Sequence, residues 1–351
     1  MTTILQFVGV LASLIILHEL GHFLAAKLFG IEVEEFGIGF PPRLTKLFEY
    51  QGTEYTLNWL PLGGFVRPKG ENDPDVEGGL AGANPWVRIA VLIAGPAMNL
   101  LAAVVIYSVI FTQLGMPDPS TVQILETAPG SPAAEAGLQA GDIIQQVNQA
   151  EVKSSDNLRE EIYANLGEPI SVTYQREGRE AQVTLTPREN PPENEGAIGI
   201  VMTNPTEEIG ALRALPMGAA ATFRHSQAVL TLPATLIRGG EAAEAARPVG
   251  YKGMYDVYEG ARDQQLLPGT SSSVNVLLFV TAVTVSLGVL NLFPIPALDG
   301  GRILLILPEL VIKKRVSQQV KNALNALGFI SMIILLIYIN VLDFTSPVQL
   351  P

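Results

Sequence analysis

Two histidines four residues apart, the first followed directly by a glutamate, interrupt an apolar stretch as His18-Glu19-Leu20-Gly21-His22. On a helix, positions i and i+4 share a face one turn apart, so both imidazoles can reach one tetrahedral zinc ion. The intervening glutamate is then close enough to take a proton from a zinc-bound water, whose pKa the metal lowers towards about 7. Five residues alone also match by chance, so their setting decides. They follow about 16 uncharged residues, Thr2 to Leu17, or roughly 24 Å of helix. That depth places the motif near one end of a membrane span, where ionisable side chains are costly and mark function by default.

A catalytic zinc takes three protein ligands and keeps an open position. The chain has no cysteine and only three histidines. The third, His225, falls in a portion expected on the opposite membrane face and reads as a packing residue. A carboxylate must therefore complete the set, and Asp299 is the candidate. It stands in Asn291-Leu292-Phe293-Pro294-Ile295-Pro296-Ala297-Leu298-Asp299-Gly300-Gly301. Pro294 and Pro296 break a helix and free backbone groups, tolerated at membrane depth only inside protein or beside a wet cavity. Gly300 and Gly301 let the chain turn closely past a metal. A capping aspartate at a kinked helix end is the alternative reading of the same segment.

The elements that must position these residues follow from composition. The chain has 351 residues, 48% hydrophobic and only 16% charged, against about 25% charged in a soluble protein. The deficit is concentrated in four windows without charge: Thr2 to Leu17, Ile89 to Pro117, Gln264 to Leu298 and Asn322 to Leu342. Each approaches or exceeds the ~20 apolar residues that span a bilayer as a helix. Residues 118–263 are ordinary soluble sequence. The first window lacks a basic leader region and a small-residue cleavage site, so it reads as a retained span. Lys27, Arg43, Lys46, Arg67 and Lys69 follow the first span, and Arg302, Lys313, Lys314, Arg315 and Lys321 follow the third. The positive-inside bias makes those loops cytoplasmic and puts the soluble portion outside. A net charge of −12 excludes a nucleic-acid partner, which would want a basic surface.

Between the first two spans, stretches such as Glu54-Tyr55-Thr56-Leu57-Asn58-Trp59 alternate with period two between glycines and prolines, as strands do. The runs Phe36-Gly37-Ile38-Gly39-Phe40 and Pro61-Leu62-Gly63-Gly64-Phe65-Val66 are apolar for a loop. The second span opens at Trp86 and Arg88, an interfacial anchor, and carries Gly95-Pro96-Ala97-Met98-Asn99. Residues 211–240, with Arg213, Arg224 and Arg238 spread among apolar residues, read as amphipathic helices on the exterior membrane face; Pro233 argues against a clean span.

The pairing of a helical HELGH with N-x-x-P-x-P-x-L-D-G-G in a later span resembles the site-2 protease family of intramembrane zinc metalloproteases, over nearly the whole chain. The bacterial members with a single PDZ domain, which act in regulated intramembrane proteolysis, are the most similar. The resemblance implies zinc bound by His18, His22 and Asp299, with Glu19 as catalytic base and Asn291 holding the substrate backbone. It further implies that the 31–66 strands dip into the membrane, so that Gly63, Gly64 and Phe65 meet the substrate; for Asn99, in the family's G-P-x-x-N pattern, lining the site and structural packing are both open. Val122 to Arg188, with Ser131-Pro132-Ala133-Ala134-Glu135-Ala136-Gly137-Leu138-Gln139-Ala140-Gly141-Asp142-Ile143-Ile144, resembles a PDZ domain, whose groove takes a peptide or carboxyl terminus by strand addition. Arg247-Pro248-Val249-Gly250 partly matches a family G-P-V-G segment and receives no role.

The expected fold is a polytopic α-helical membrane protein with about four transmembrane helices, a membrane-associated β-hairpin element and one α+β PDZ domain. Its expected segments are a first transmembrane helix with HELGH (1–30), a cytoplasmic or re-entrant β region (31–85) and a second transmembrane helix (86–117). An extracytoplasmic PDZ domain (118–200) and amphipathic helices with a linker (201–270) follow. A third transmembrane helix carries the N-x-x-P-x-P-x-L-D-G-G motif (271–310), and a cytoplasmic turn leads into a fourth (311–351). Expected partners are the lipid bilayer and pre-cleaved single-pass substrates of anti-sigma-factor or signal-peptide type. The expected location is a bacterial inner membrane, with the active site near the cytoplasmic side. A zinc-binding scaffold and a metal transporter are the rivals. Glu19 is superfluous to a scaffold, and no internal repeat supports a transporter.

Overall fold

The computed structural model describes residues 2–192, 195–240, 247–263 and 271–347. It divides into two compact units, one of residues 1–111 with 211–351 and the other Thr112–Gly210. The linker stretches 241–246 and 264–270 lie outside the described residues.

Four helices are long and apolar enough to cross a membrane: α1 (Thr2–Leu28), α2 (Pro85–Leu114), α7 (Ser272–Asn291) and α9 (Gln318–Thr345). Ser271 and Ser317 cap the last two, each hydroxyl accepting the N–H three residues on, which satisfies one of the four donors a helix start leaves free. Among the described residues, the same unit also holds helices α5 (Ala211–Arg238), α6 (Tyr251–Asp263) and α8 (Asp299–Ile312). The segment expected as one third span with its motif is two helices, α7 and α8. Pro294 and Pro296 lie in the break between them, where a missing N–H and a fixed φ prevent helix continuation.

Packing follows apolar stripes. Phe7 and Leu11 of α1 meet Tyr258 of α6 and Phe279 of α7. Ala103 of α2 meets Val229 of α5 and Val285 and Val289 of α7. Helix α5 runs unbroken through Pro216 and Pro233, burying Ala214, Gly218, Thr222 and Val229, where several helices on a membrane surface were expected. Its close seating is visible at Gly218, where a Cβ would fall 2.5 Å from the Val104 carbonyl oxygen of α2. His225, on the same helix, hydrogen-bonds Tyr107 of α2 at 2.9 Å. The Arg247–Gly250 segment also acquires a structural role. Asp343, fully buried near the end of α9, accepts the N–H groups of Gly250 (2.8 Å) and Gly253 (3.0 Å) and a contact from Arg247 (3.4 Å).

Strands β1 (Val33–Tyr50) and β2 (Thr53–Pro68) turn at Gln51-Gly52, both at positive φ (48° and 75°), as a two-residue hairpin turn requires. The hairpin is curled on itself. Residues 35–38 pair with 54–57 on one side and with 64–67 on the other. Buried Glu35 fixes this register by accepting from Arg43 (2.7 Å), Thr56 (2.7 Å) and Arg67.

The second unit holds β3 (Met116–Pro117) paired with β10 (Thr206–Glu207), and a six-stranded antiparallel sheet. That sheet runs β8 (Arg179–Leu185), β7 (Ile170–Arg176), β5 (Ile143–Val147), β4 (Val122–Thr127), β9 (Ile200–Thr203), with β6 (Ala150–Glu151) on β5. Helices α3 (Pro132–Glu135) and α4 (Ser155–Tyr163) cover its core of Val122, Ile124, Leu138, Ile144, Leu158 and Ile170. Because this core is self-contained, residues 112–210 expressed alone should unfold in one cooperative transition. Leu158→Ala, which empties a fully buried site, should lower its stability by about 2–5 kcal/mol, measured by urea denaturation; a non-cooperative wild-type transition would refute the autonomy of the core.

Candidate active site

Helix α1 buries His18 and presents its Nε2 3.2 Å from that of His22. Asp299, the first residue of α8, points its Oδ2 at both, 3.2 Å from His18 Nε2 and 3.4 Å from His22 Nε2. All three side chains are nearly enclosed, at 10%, 12% and 12% exposure. Position in α8 favours an ionised carboxylate here, because a helix N-terminus carries partial positive charge.

Hydrogen bonding sets the direction of the imidazole lone pairs. His22 Nδ1 lies 2.8 Å from the Val91 carbonyl oxygen, which can only accept, so Nδ1 carries the proton. In neutral His22 the Nε2 lone pair then faces the Asp299 oxygen, an acceptor against an acceptor. Asp299 Oδ2 is buried with no hydrogen-bond partner of its own. A single proton could bridge two of these three atoms and would leave the third facing a lone pair. A metal ion satisfies all three. The edges of 3.2, 3.2 and 3.4 Å match one face of a tetrahedron whose centre lies about 2.0 Å from each corner, the length of Zn–N and Zn–O bonds. The donor set, two nitrogens and a carboxylate oxygen with one face open, is that of a catalytic zinc.

Asn99 meets the other side of His18. It is fully buried, with its amide nitrogen 3.4 Å from His18 Nδ1 and its Oδ1 unpartnered. The two ends of an amide are assigned rather than seen. Turned over, Asn99 offers Oδ1 to an Nδ1–H and leaves the Nε2 lone pair of His18 facing the cluster, the same tautomer as His22. Asn99 thus sits behind the imidazole and not on the cavity wall. Val91, Gly95 and Asn99 recur every four residues and form one stripe of α2 against the two histidines.

That stripe requires very close packing. A Cβ on Gly95 would lie 2.3 Å from His22 Nε2, and one on Gly21 would lie 2.2 Å from the Ala94 carbonyl oxygen. Pro96, inside α2, removes the N–H that would otherwise bond the Leu92 carbonyl and loosens this turn, beside the Val91 carbonyl that His22 uses. On α8, a Cβ on Gly300 would meet the Leu292 carbonyl oxygen at 2.2 Å and one on Gly301 the Ile295 carbonyl oxygen at 2.1 Å. The 292–298 connection therefore folds directly over the helix start, with Ala297 held at φ 78°, a strained conformation for a residue with a Cβ.

A cavity of about 610 Å³ opens over the cluster. His18, Glu19, His22 and Asp299 lie on one part of its wall, Asn291 and Ala297 on another, and Gly63 to Pro68 of β2 along a third. Gly64 packs on Glu19, since a Cβ there would be 3.2 Å from Glu19 Cγ. Gly63, at φ 142°, has no room for a side chain beside Phe40. The structure thus gathers His18, Glu19, His22, Asp299, Asn291, Gly63, Gly64 and Phe65 around one space and puts Asn99 behind it. Nothing in the residue pattern signalled the Val91 carbonyl, a backbone group, or Arg302 and Glu71. These two also line the cavity and join at 2.8 Å.

Comparison with known proteins gives a family-wide match. The model of peptidase family M50 covers residues 6–335. A Campylobacter jejuni protein bearing a zinc metalloprotease name is 32% identical, over 97% of this chain and 93% of its own. A Clostridium acetobutylicum protein named likewise is 32% identical, over 96% and 95%. The regulator of sigma-W protease RasP of Bacillus subtilis is 27% identical, over 96% and 97%. Among solved structures, the PDZ domain of an SdrC-like protein from Listeria monocytogenes aligns with 24% of this chain and 87% of its own at 23% identity, with a TM-score of 0.21.

Gly95→Ala should displace the His22 imidazole and lower zinc affinity by about 10–100-fold, the usual cost of disturbing a ligand's support. Zinc titration of purified protein against a competing chelator measures this; an unchanged affinity would contradict the close approach described here.

Proposed function

Since the chain belongs to peptidase family M50 and is a membrane zinc metalloprotease of the site-2 type, we propose that it hydrolyses a peptide bond inside the transmembrane segment of a pre-cleaved single-pass protein, with His18, His22 and Asp299 holding the zinc. The observation that carries this is the triangle of donor atoms, 3.2 to 3.4 Å on each edge, beneath a cavity lined by strand backbone. Zinc bound there would polarise the scissile carbonyl and acidify the attacking water. Glu19 takes the proton from that water on its carboxylate. As the water oxygen bonds to the carbonyl carbon and the C–N bond breaks, Glu19 returns the proton to the leaving nitrogen. Asn99 orients His18 through Nδ1, as the Val91 carbonyl orients His22.

A substrate helix hides its peptide bonds, so it must unwind first. Residues 64–67 pair with β1 on one side and, among the described residues, with nothing on the other, which leaves an edge for an extended substrate to join. The Asn291 amide holds the substrate backbone from the opposite wall. The positive-inside bias supports a site near the cytoplasmic face of a bacterial inner membrane, with the soluble portion outside. That unit, read as a PDZ domain, takes a peptide or a newly exposed carboxyl terminus in its groove. Substrates are of the anti-sigma-factor or signal-peptide type.

Glu19→Gln should retain zinc while losing about 10²–10⁴-fold in cleavage of a single-pass reporter in proteoliposomes. Chelation should abolish wild-type cleavage and added zinc should restore it. Undiminished cleavage by Glu19→Gln with metal bound would remove Glu19 from the mechanism.

A further inference from the structure

Next to the active-site cavity lies a second, smaller one of about 190 Å³, walled by α2, α8, the start of α9 and the loop after β2. Four cations line it: Arg88, Arg302, Arg315 and Lys321. Two carboxylates serve them. Both oxygens of Glu309 are taken, one by Arg88 at 2.7 Å and one by Arg315 at 2.8 Å. Glu71 pairs with Arg302 at 2.8 Å. Lys321 has no ion-pair partner among the described residues, and the four cations and two carboxylates leave the cluster a formal charge of +2. The Arg88 side chain is only 9% exposed. Arg302 and Arg315 are 45% exposed, so the cavity is part-open, and a cleft lined by an excess of one sign of charge concentrates counter-ions of the other.

Other features point the same way. Asn325, on the wall, has a buried Oδ1 with no partner, and the turned-over amide would present N–H groups to an anion instead. Beneath the cations, Leu92, Leu305 and Ile306 give the cavity an apolar floor. Arg88 and Lys321 each stand three residues into a spanning helix, which sets the cavity at headgroup depth. Above Lys321, α9 leaves Leu327, Phe329 and Ile330 exposed, a surface that acyl chains can cover. The volume is below the roughly 300–1,000 Å³ of pockets that enclose a whole ligand, as fits one headgroup whose tails stay outside.

The geometry points to a binding site for a phosphate-bearing anion, bounded by Arg88, Arg302, Arg315 and Lys321 and separate from the zinc cluster. An anionic lipid of the adjacent leaflet is the source the apolar floor and the depth favour, since basic pockets between spanning helices at the cytoplasmic face hold such headgroups. Free phosphate shares the chemistry. Because Arg302 and Glu71 line both cavities, an anion that draws Arg302 away from Glu71 also changes the wall of the active site.

The test uses the full chain in neutral detergent, with thermal unfolding followed in the presence of short-chain phosphatidylglycerol, phosphatidylcholine of equal chain length, or inorganic phosphate. Phosphatidylglycerol should raise Tm by roughly 5 °C at saturation and phosphatidylcholine should not. Lys321→Gln should lose most of that rise and Lys321→Arg should keep it. A comparable rise with inorganic phosphate alone would assign the site to free phosphate instead of lipid. Equal responses to the two lipids, or a response of Lys321→Gln matching wild type, would overturn the site.

Discussion

The close crossing of α1 and α2 at Gly21 and Gly95 is the constraint from which the rest of the site follows. A hydrogen bond from His22 Nδ1 to a carbonyl on the neighbouring helix is possible only where the two backbones nearly touch. The space a single Cβ would need is already filled, by the Ala94 carbonyl at one glycine and by the imidazole at the other. That bond settles which nitrogen of His22 keeps its lone pair and where the lone pair points. The third donor must then be brought to a fixed place, and α8 does so with its first residue. Gly300 and Gly301 let the 292–298 connection cross its first turn, and Gly328 of α9 packs against the Pro296 carbonyl, where a Cβ would come within 2.2 Å. Small residues here set distances between charged groups, and close helix contact is the means.

Membrane depth imposes a second requirement, that backbone polar groups be satisfied within the protein. The curled hairpin pairs residues 35–38 on both edges, whichever side of the membrane surface it occupies. Hydroxyls in the helices return to carbonyls a turn earlier, as Thr222 does to Gly218 and Thr281 to Leu277. Asp343 holds two backbone N–H groups that would otherwise be bare. Against this background the unpartnered groups stand out. Asp299 Oδ2 and Asn99 Oδ1 lie on either side of the histidines, and Asn325 Oδ1 lies in the basic cavity. Each is where a ligand, or an amide turned over to support one, would be.

The grouping of the candidate residues was legible in the sequence because it depends on residue type and spacing. His18, Glu19 and His22 declare a shared helix face, and the absence of other ligands pointed to Asp299. The four spans were legible because charge is missing from four windows. What stayed hidden depends on backbone. The Val91 carbonyl that orients His22 has no side-chain signature. The doubled pairing of β1 cannot be read from alternation, which tells which face a residue occupies and not how many neighbours its strand has. Asn99 was left open between lining the site and packing, since proximity in a motif does not say from which side a residue approaches. Helix α5 passes through Pro233 because packing against α2 and α7 outweighs a lost hydrogen bond, a tertiary effect beyond local propensity. The break that separates α7 from α8 was visible as two prolines, but its consequence, that Asp299 opens a new helix, was not.

Strand and metal-site geometry also bear on how a bond buried in lipid becomes reachable. Unwinding a transmembrane helix exposes peptide groups that cost several kcal/mol each when left bare in hydrocarbon, so unwinding must be coupled to new backbone pairing. Under the proposed function, the open side of residues 64–67 would supply such pairing on the cavity wall that Glu19 shares. A strand added there would lie about 4.8 Å away, in the cavity that the cluster also lines. Gly64 is the contact between that edge and Glu19: its missing side chain lets Glu19 pack against the strand, where a Cβ would come 3.2 Å from Glu19 Cγ. With Glu19 as the proposed base and β2 as the proposed substrate edge, the same absence would set the separation between base and substrate backbone, and a larger residue would widen it without touching His18, His22 or Asp299. Under the proposed function, the spacing of Glu19 and β2 would then matter to hydrolysis alongside the proposed metal site.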